Sequence, residues 1–369
     1  MEKHYEYDKN LWIAFLDIKK AFDAIKREKV WEALNNVGVS MNMISRITEM
    51  YQGITSSVKT CFGITDSFEI KSGLRQGGVL SPLLFILVMD QIQKKVENSI
   101  GKEKMKLMLF ADDIALYGQM NEVQVVQHQI EAWTQNAKKY GLIFSQEKSE
   151  ILVLSRDDRP EGEIEMDGKQ LKKTDKFKYL GSTLAENGEI DLEITQRIQT
   201  GGKFYHIVRD LIWNNKVPMK CKKVLFNTYY VPILTYGCET WTIRKKDNTR
   251  MQAAEMKFLR SMVGKTRRDR IRNIDIRKMV DIESLEEKMR ERRLKWYGHV
   301  MRMNDERLPK KVYDMEMEGT RPKGRPRYRY EDTIKFDVGK KQGNWEDIKA
   351  NQRYSNRVWW RGFVHRPVL

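Results

Sequence analysis

Leu11 to Leu16 is an unbroken apolar run ending in Asp17, the pattern of a strand buried on both faces with a carboxylate at its tip. Leu107 to Phe110 and Ile114 to Tyr117 are two more short apolar runs, and the turn between them must hold Ala111, Asp112 and Asp113, so this stretch predicts a hairpin. Between these strands the period changes. Asp23 to Val37 places Ile25, Val30, Trp31, Leu34 and Val37 on one side of a helix that Gly38 stops, and Met41 to Tyr51 predicts a second helix. Thr55 to Glu69 alternates around Gly63 and suggests another hairpin, after which Ser81 as cap and Pro82 in the first turn open a further helix. Glu122 to Tyr140 is predicted helical and ended by Gly141, followed by a strand pair, Ile143-Phe144 with Ile151 to Leu154, that encloses Lys148.

After Gly181 the strand signals stop. Ile190 to Trp213, Pro218 to Tyr236 and Asn248 to Val263 have the apolar spacing of three helices with short connections. Glu283 to Met303 predicts one long helix burying Leu285, Met289, Leu294, Trp296 and Val300. Gly319 to Tyr330 is broken by Pro and Gly and cannot pack as a core. It predicts an extended basic linker, with Tyr328 and Tyr330 available to stack on bases. Trp345, Trp359 and Trp360 beyond it suggest a small final helical module.

Charge sharpens this division. The chain of 369 residues has a formal net charge of +17, but residues 1–200 carry 27 basic and 30 acidic side chains, net −3, whereas residues 201–369 carry 41 and 21, net +20. Cation excess so localised favours a polyanionic partner. Basic clusters stand at Lys265 to Arg272 and at Arg290 to Lys295, and Arg321, Lys323, Arg325, Arg327 and Arg329 lie in the predicted linker. Three cysteines, 61, 221 and 238, without Cys-x-x-Cys spacing support neither a disulfide framework nor a zinc site, and the five histidines are scattered. The charged start has no secretory signal, and the longest apolar run, Pro82 to Met89, is too short to span a bilayer. The expectation is a soluble, intracellular protein with no membrane partner.

The chemistry is concentrated in the first half. An isolated Asp-Asp turn is most often a solvated tip. Here a second strand also delivers Asp17 to its end, and if the two strands are neighbours, Asp17, Asp112 and Asp113 converge. Such a cluster repels itself until cations enter, and it can hold two Mg²⁺ ions roughly 4 Å apart, the arrangement that clamps attacking and leaving oxygens in phosphoryl transfer. Gly73-Leu74-Arg75-Gln76-Gly77-Gly78 ahead of the Ser81-Pro82 helix is a loop whose glycines let the backbone approach a ligand.

These stretches, Phe15-Leu16-Asp17, Gly73 to Phe85, Phe110-Ala111-Asp112-Asp113, Gly141 to Ser145 with Lys148-Ser149, and Phe177-Lys178-Tyr179-Leu180-Gly181, resemble in order the motifs of reverse transcriptases of LINE-type non-LTR retrotransposons. The resemblance implies an α+β fold: a polymerase palm, an antiparallel sheet with packed helices, followed by a helical thumb and a basic, mostly helical C-terminal region. It divides the chain into a palm with partial fingers over 1–185, a thumb over 186–264 and a nucleic-acid-binding region over 265–369. It implies RNA-directed DNA polymerisation onto a primer 3′-hydroxyl, with an RNA template, a DNA primer or target and deoxynucleoside triphosphates as partners, and a nuclear location. Asp17, Asp112 and Asp113 would bind Mg²⁺, or Mn²⁺ in its place, and Lys148 would protonate the leaving pyrophosphate.

By the same resemblance, Ile18, Phe22, Gln76 and Gly77 would hold the nucleotide, with the Phe22 ring excluding a 2′-hydroxyl. Gly73 and Arg75 would meet the template, and Tyr179, Leu180 and Gly181 would form the primer grip. Two departures stand out: Ser145 occupies a place where the family usually has Asn, and only ten residues precede the Asp17 strand, where the family has fingers. The corresponding expectation is an N-terminally truncated element copy without an endonuclease domain, a poor polymerase by itself. The alternatives are a remnant that only binds RNA and DNA, or a palm completed by another chain.

Overall fold

The structure is a computed structural model that describes residues 1–100, 105–119, 123–155, 162–321 and 327–366. The chain divides into two compact units, essentially Lys3–Phe177 and Lys178–Leu369. In the first, a five-stranded sheet is built from β1 (Leu11–Asp17), β2 (Lys106–Phe110), β3 (Asp113–Gly118), β4 (Glu150–Leu154) and β5 (Lys172–Thr174). Its order is β5-β4-β1-β3-β2, antiparallel except for the parallel β5–β4 pair. The central place of β1 explains its unbroken apolar run, since Leu11 to Leu16 are buried on both faces of the sheet. β2, at the sheet edge, is only half-buried although its apolar run is similar. The predicted Ile143-Phe144 and Ile151–Leu154 strand pair does not form. β4 pairs with β1, and Phe144 makes an isolated bridge to Ile18, because the central strand offers a longer partner than the two-residue run.

Helices cover this sheet. α1 (Ala21–Ala24) and α2 (Arg27–Asn36) replace the single helix expected over Asp23 to Val37. The break falls at Ile25 and Lys26, both extended, where the backbone pairs outward instead: Lys26 N–H donates to Tyr140 O and Gly73 N–H to Ile25 O. Val37, expected on the buried side, is exposed. α3 (Met41–Glu49) is capped by Ser40, and Thr55–Ser56 pairs with Phe68–Glu69 outside a tighter Lys59–Thr60 and Gly63–Ile64 pair, the expected hairpin. α4 (Ser81–Ser99) and α5 (Val123–Lys139) complete the layer; Glu122 lies outside the described residues. Leu84, Phe85, Val88 and Ile92 of α4 pack with Val126, Ile130 and Trp133 of α5 in one core with the sheet.

The second unit is helical after the short strand Ser182–Ala185. α6 (Asp191–Trp213) and α7 (Lys245–Met262) flank Met219–Leu225, a π-type turn at Phe226–Tyr230 and Val231–Thr235, and their apolar faces share one core. α8 (Leu285–Met301) begins in that core with Leu285 and Met289 and continues into a second one with Leu294 and Tyr297. The ring buried there is Tyr297; Trp296, predicted buried, stays half-exposed one position away. α9 (Tyr330–Lys340) and α10 (Arg357–Val364) close the second core with Trp345, Trp360 and Phe363. The Trp360 indole N–H donates to Leu294 O at 3.0 Å, and its ring occupies the space that a Cβ on Gly298 would fill. No described helix is long and apolar enough to cross a membrane, and the three cysteines form no disulfide.

Candidate active site

β1 and β3 are neighbours, and their register sets Asp17 directly opposite Asp113. β2 and β3 form the predicted hairpin, with Phe110 paired to Asp113 and Ala111-Asp112 as its tip. Ala111 takes φ of 54°, left-handed backbone that costs a non-glycine residue about 1–2 kcal/mol and is characteristic of sites held under strain by their surroundings. The two strands therefore bring Asp17, Asp112 and Asp113 to one end of the sheet. Partial burial raises the Asp113 carboxyl above its ordinary value, and the charges of Asp112 and Asp17 raise it further. Among the described residues Lys148 is the one cation within salt-bridge reach of the three, 3.7 Å from Asp17 Oδ2 and largely exposed. An ion pair so solvated contributes little. The donor set is all hard carboxylate oxygen with only this weak internal counterion, which fits a divalent cation such as Mg²⁺ or Mn²⁺.

The segment carrying Lys148 is tied to β1 through the backbone. Ser145 N–H donates to Asp17 O at 2.7 Å, Asp17 N–H donates to the buried Ser149 Oγ at 3.1 Å, and Ser149 N–H closes the turn onto Ser145 O. Because Ser145 contributes its main chain here, Ser in place of the family's Asn leaves that bond intact. Ile18 is buried in the core, so its side chain is not available to a nucleotide and only its main chain could serve.

Phe22 and the glycine loop form the adjoining wall. The Phe22 ring stacks on buried Phe85 with centroids 4.7 Å apart. Gly73 has φ of 81°, and a Cβ there would lie 2.7 Å from Asp23 O, so this contact requires glycine. Leu74 N–H donates to Phe22 O, and Gln76 Nε2 donates to Asp23 Oδ1 at 3.1 Å. Ser81, expected to cap α4, instead donates its hydroxyl to Arg75 O at 2.6 Å, and the capping position falls on Leu80. Gly77 stands in open space, and the Arg75 side chain is exposed. Sequence reasoning passed over Arg27. Its guanidinium donates to Gly73 O at 3.0 Å and to Tyr51 O at 2.9 Å, fastening the loop to α2. A cation at the first position of a helix carries no signal of such a role.

In the second unit, Leu180 and Gly181 form a left-handed turn after Tyr179. Tyr236 donates its hydroxyl to Leu180 O at 2.8 Å, and Arg197, itself bonded to Glu193, donates to Gly181 O. Neither anchor was legible in the sequence. Two of the predicted linker cations are engaged: Arg327 pairs with Glu189, and Arg329 with Asp332 at the start of α9. Arg321 is exposed, and Lys323 and Arg325 lie outside the described residues. Tyr330 is not a stacking platform, since it packs against the second helical core. The expected basic cluster Arg290 to Lys295 is likewise corrected, because Arg290 and Arg293 are buried and paired with carboxylates.

The family profile described as reverse transcriptase (RNA-dependent DNA polymerase) matches residues 2–184. A Pol polyprotein of the type-1 retrotransposable element R2 of Nasonia vitripennis is 30% identical over 200 residues, covering 50% of this chain and 19% of that protein. The RNA-directed DNA polymerase from mobile element jockey of Drosophila melanogaster is 24% identical over 281 residues, 71% of this chain and 29% of that one. Among solved structures, apo telomerase from Candida tropicalis superposes with a TM-score of 0.42 at 14% identity, over 79% of this chain and 46% of that one, too distant to argue from. The chain spans about one fifth of the first curated relatives it matches, 19% and 22% of their length. With the carboxylate-tipped strands and the glycine loop falling inside the matched residues, the chain belongs, through residues 2–184, to the reverse transcriptases of non-LTR retrotransposons.

Proposed function

We propose that this chain supplies the polymerase centre of an RNA-directed DNA polymerase, adding deoxynucleotides to a DNA primer 3′-hydroxyl opposite an RNA template. The observation that carries this reading is the pairing of Asp17 with Asp113, with Asp112 at the adjoining tip, as a carboxylate cluster lacking a strong internal counterion. Asp17, Asp112 and Asp113 would hold two Mg²⁺ ions, with Mn²⁺ as a substitute. When bound, the metal supplies activation of the 3′-hydroxyl and neutralisation of the triphosphate.

The chain's own residues orient the reactants. Ser145 and Ser149 fix the end of β1, so that Asp17 faces its partners without rearrangement. Lys148, beside Asp17, would donate a proton to the leaving pyrophosphate. The glycine loop, held by Arg27 and Ser81, would present Gly73 and Arg75 to the template and Gln76 and Gly77 to the nucleotide, with the Ile18 main chain beside it. Phe22, backed by Phe85, would stand under the sugar and exclude a 2′-hydroxyl. The Tyr179-Leu180-Gly181 turn would grip the primer, and the cations from Arg321 to Arg329 would add backbone affinity. The reading carries with it action on nuclear DNA.

Primer extension on poly(rA)/oligo(dT) with Mg²⁺ tests it. Extension by the wild-type chain that disappears in Asp112→Asn supports the reading, and extension that survives this substitution overturns it. Phe22→Ala should admit ribonucleotides while retaining deoxynucleotide use, and unaltered sugar selectivity would remove Phe22 from the site.

A further inference from the structure

α10 has two faces of opposite character. Trp360, Phe363 and Val364 are buried in the second helical core, while Arg357, Val358, Arg361, Gly362 and His365 are exposed and line a shallow groove of about 470 Å³ on the outward side. Arg357, Arg361 and His365 recur every four residues, so two cations and an imidazole form one row with successive members about 6 Å apart along the helix. Gly362 has nothing within 4 Å of where a Cβ would stand, and Val358 is 84% exposed, so the row stands beside a low apolar floor.

The helix is a rigid support. Asn356 caps it, the Trp360 N–H is bonded to Leu294 O, and Trp359 stacks on Phe363 with centroids 5.3 Å apart. Arg366 lies over the Trp359 ring, adding a cation at the border of the same surface, while Arg353, over the same ring, is paired with Asp347.

Arg357 and Arg361 lack internal neutralisation, as do the exposed Arg267, Arg268, Arg270 and Arg272 in the stretch after α7. What sets the α10 pair apart is its place on a packed, capped helix beside an apolar floor. Elsewhere in the second unit many exposed cations meet carboxylates: Lys223 with Asp281, Arg244 with Glu189, Lys246 with Asp191 and Lys349 with Glu331. Among the described residues neither Arg357 nor Arg361 has a carboxylate partner, and His365 has Glu291 at 3.4 Å. Nearby Arg302 is lowered from its ordinary value first by burial and then by the like charge of Arg357. Two arginines on one helix face without a carboxylate partner, in a half of the chain with net charge +20, are complementary to a line of negative charge.

We propose that the exposed face of α10 binds the sugar–phosphate backbone of nucleic acid, with Arg357 and Arg361 on phosphates and Val358 and Gly362 against the sugars, without reading sequence. The proposal rests on the polymerase reading only in its choice of an RNA–DNA hybrid as ligand. It adds a backbone contact to that of the predicted linker, where Arg327 and Arg329 are engaged by carboxylates, and puts it on a helix whose residues the sequence did not single out.

The experiment is a salt titration of full-length chain binding to a fluorescently labelled RNA–DNA hybrid of arbitrary sequence, followed by anisotropy. In Arg357→Ala with Arg361→Ala, the slope of log K against log salt should become shallower by about 1 for each arginine removed, equally for an unrelated sequence. Arg361→Glu should weaken binding further than Arg361→Ala, and Arg327→Ala with Arg329→Ala should change the slope much less. Circular dichroism checks that α10 stays folded, which its buried face predicts. An unchanged slope in the α10 double variant, or a loss confined to phosphatidylserine vesicles with hybrid binding intact, overturns the proposal. Binding is read independently of extension: extension that survives Asp112→Asn sinks the polymerase reading, while the slope still decides the role of α10.

Discussion

The tip of the palm sheet and the α8–α9 contact both gather charge, and they resolve it in opposite ways. At the sheet tip three carboxylates meet one exposed lysine. At the helical contact Asp337, fully buried, accepts from Arg293 at 2.7 and 3.0 Å and lies 3.3 Å from Arg290, while Glu287 pairs with Arg290 and Lys341. Burial works against the Arg293 charge, yet Asp337 more than offsets it, and the guanidinium stays raised above its ordinary value. Glu283, Glu287 and Glu291 on α8 have carboxylate oxygens close enough together to suggest a metal site. Two of the three are instead committed to this chain's own basic groups, Glu287 to Arg290 and Lys341 and Glu291 to Lys295 and His365, while burial and the neighbouring glutamates raise the Glu283 carboxyl above its ordinary value. Proximity of acids therefore does not mark an ion site by itself. What marks it is weak internal countercharge, and the palm cluster, whose one neighbouring cation among the described residues is the exposed Lys148, has that.

The contrast breaks most sharply on activity. Asp112→Asn should lower primer extension by roughly a thousandfold or more, the scale of losing a preorganised electrostatic group, while leaving the unfolding midpoint unchanged or slightly raised. A parallel loss of stability would mean that the palm carboxylates are structural after all. Asp337→Asn should do the reverse. Stranding Arg293 and Arg290 in the interior should cost about 3–5 kcal/mol, seen as faster hydrogen exchange across α8 and α9, with the palm helices protected as before. Protection of α9 at wild-type level would remove the ion pair from the fold's support.

Metal gives a smaller and more specific separation. Mg²⁺ at about 100 times its dissociation constant should stabilise the first unit by about 2.7 kcal/mol, an effect that Asp112→Asn with Asp113→Asn should largely abolish and Glu283→Gln should leave untouched. An undiminished metal response in the double variant would relocate the site.

The smallest effect is the pH dependence of Asp113. Its folded pKa lies above its unfolded one, so the folded state holds the proton more tightly. The penalty is complete above the folded value and fades as pH falls through it, and stability without metal should rise in that direction. Asp113→Asn should be the more stable chain above that range and equal to wild type below the ordinary Asp value of about 4. Urea midpoints measured without metal across this range would show the two curves converging; parallel curves would deny the shift.

By itself the sequence determined the elements whose signal is local. The six-residue apolar run of β1, the Ala111-Asp112 tip between two short runs, and the helices closed by Gly38, Gly141 and the connection after Trp213 follow from burial period and turn chemistry, which neighbouring residues carry. The three carboxylates were legible because each stands at the end of such a run. The tertiary structure alone decided which strands became neighbours, and so why β4 chose β1 over Ile143-Phe144. It also broke the Asp23–Val37 helix at Ile25, where distant backbone groups from Tyr140 and Gly73 offered partners. Charge was the least legible property. Arg290 and Arg293 look in sequence like surface cations but are buried, because Asp337, more than forty residues away, compensates them. Arg357 and Arg361 have the same composition and stay exposed, because α10 turns Trp360 and Phe363 inward and leaves them no carboxylate. A charged side chain's role depends on the countercharge that folding brings to it, and that partner is rarely close in the chain.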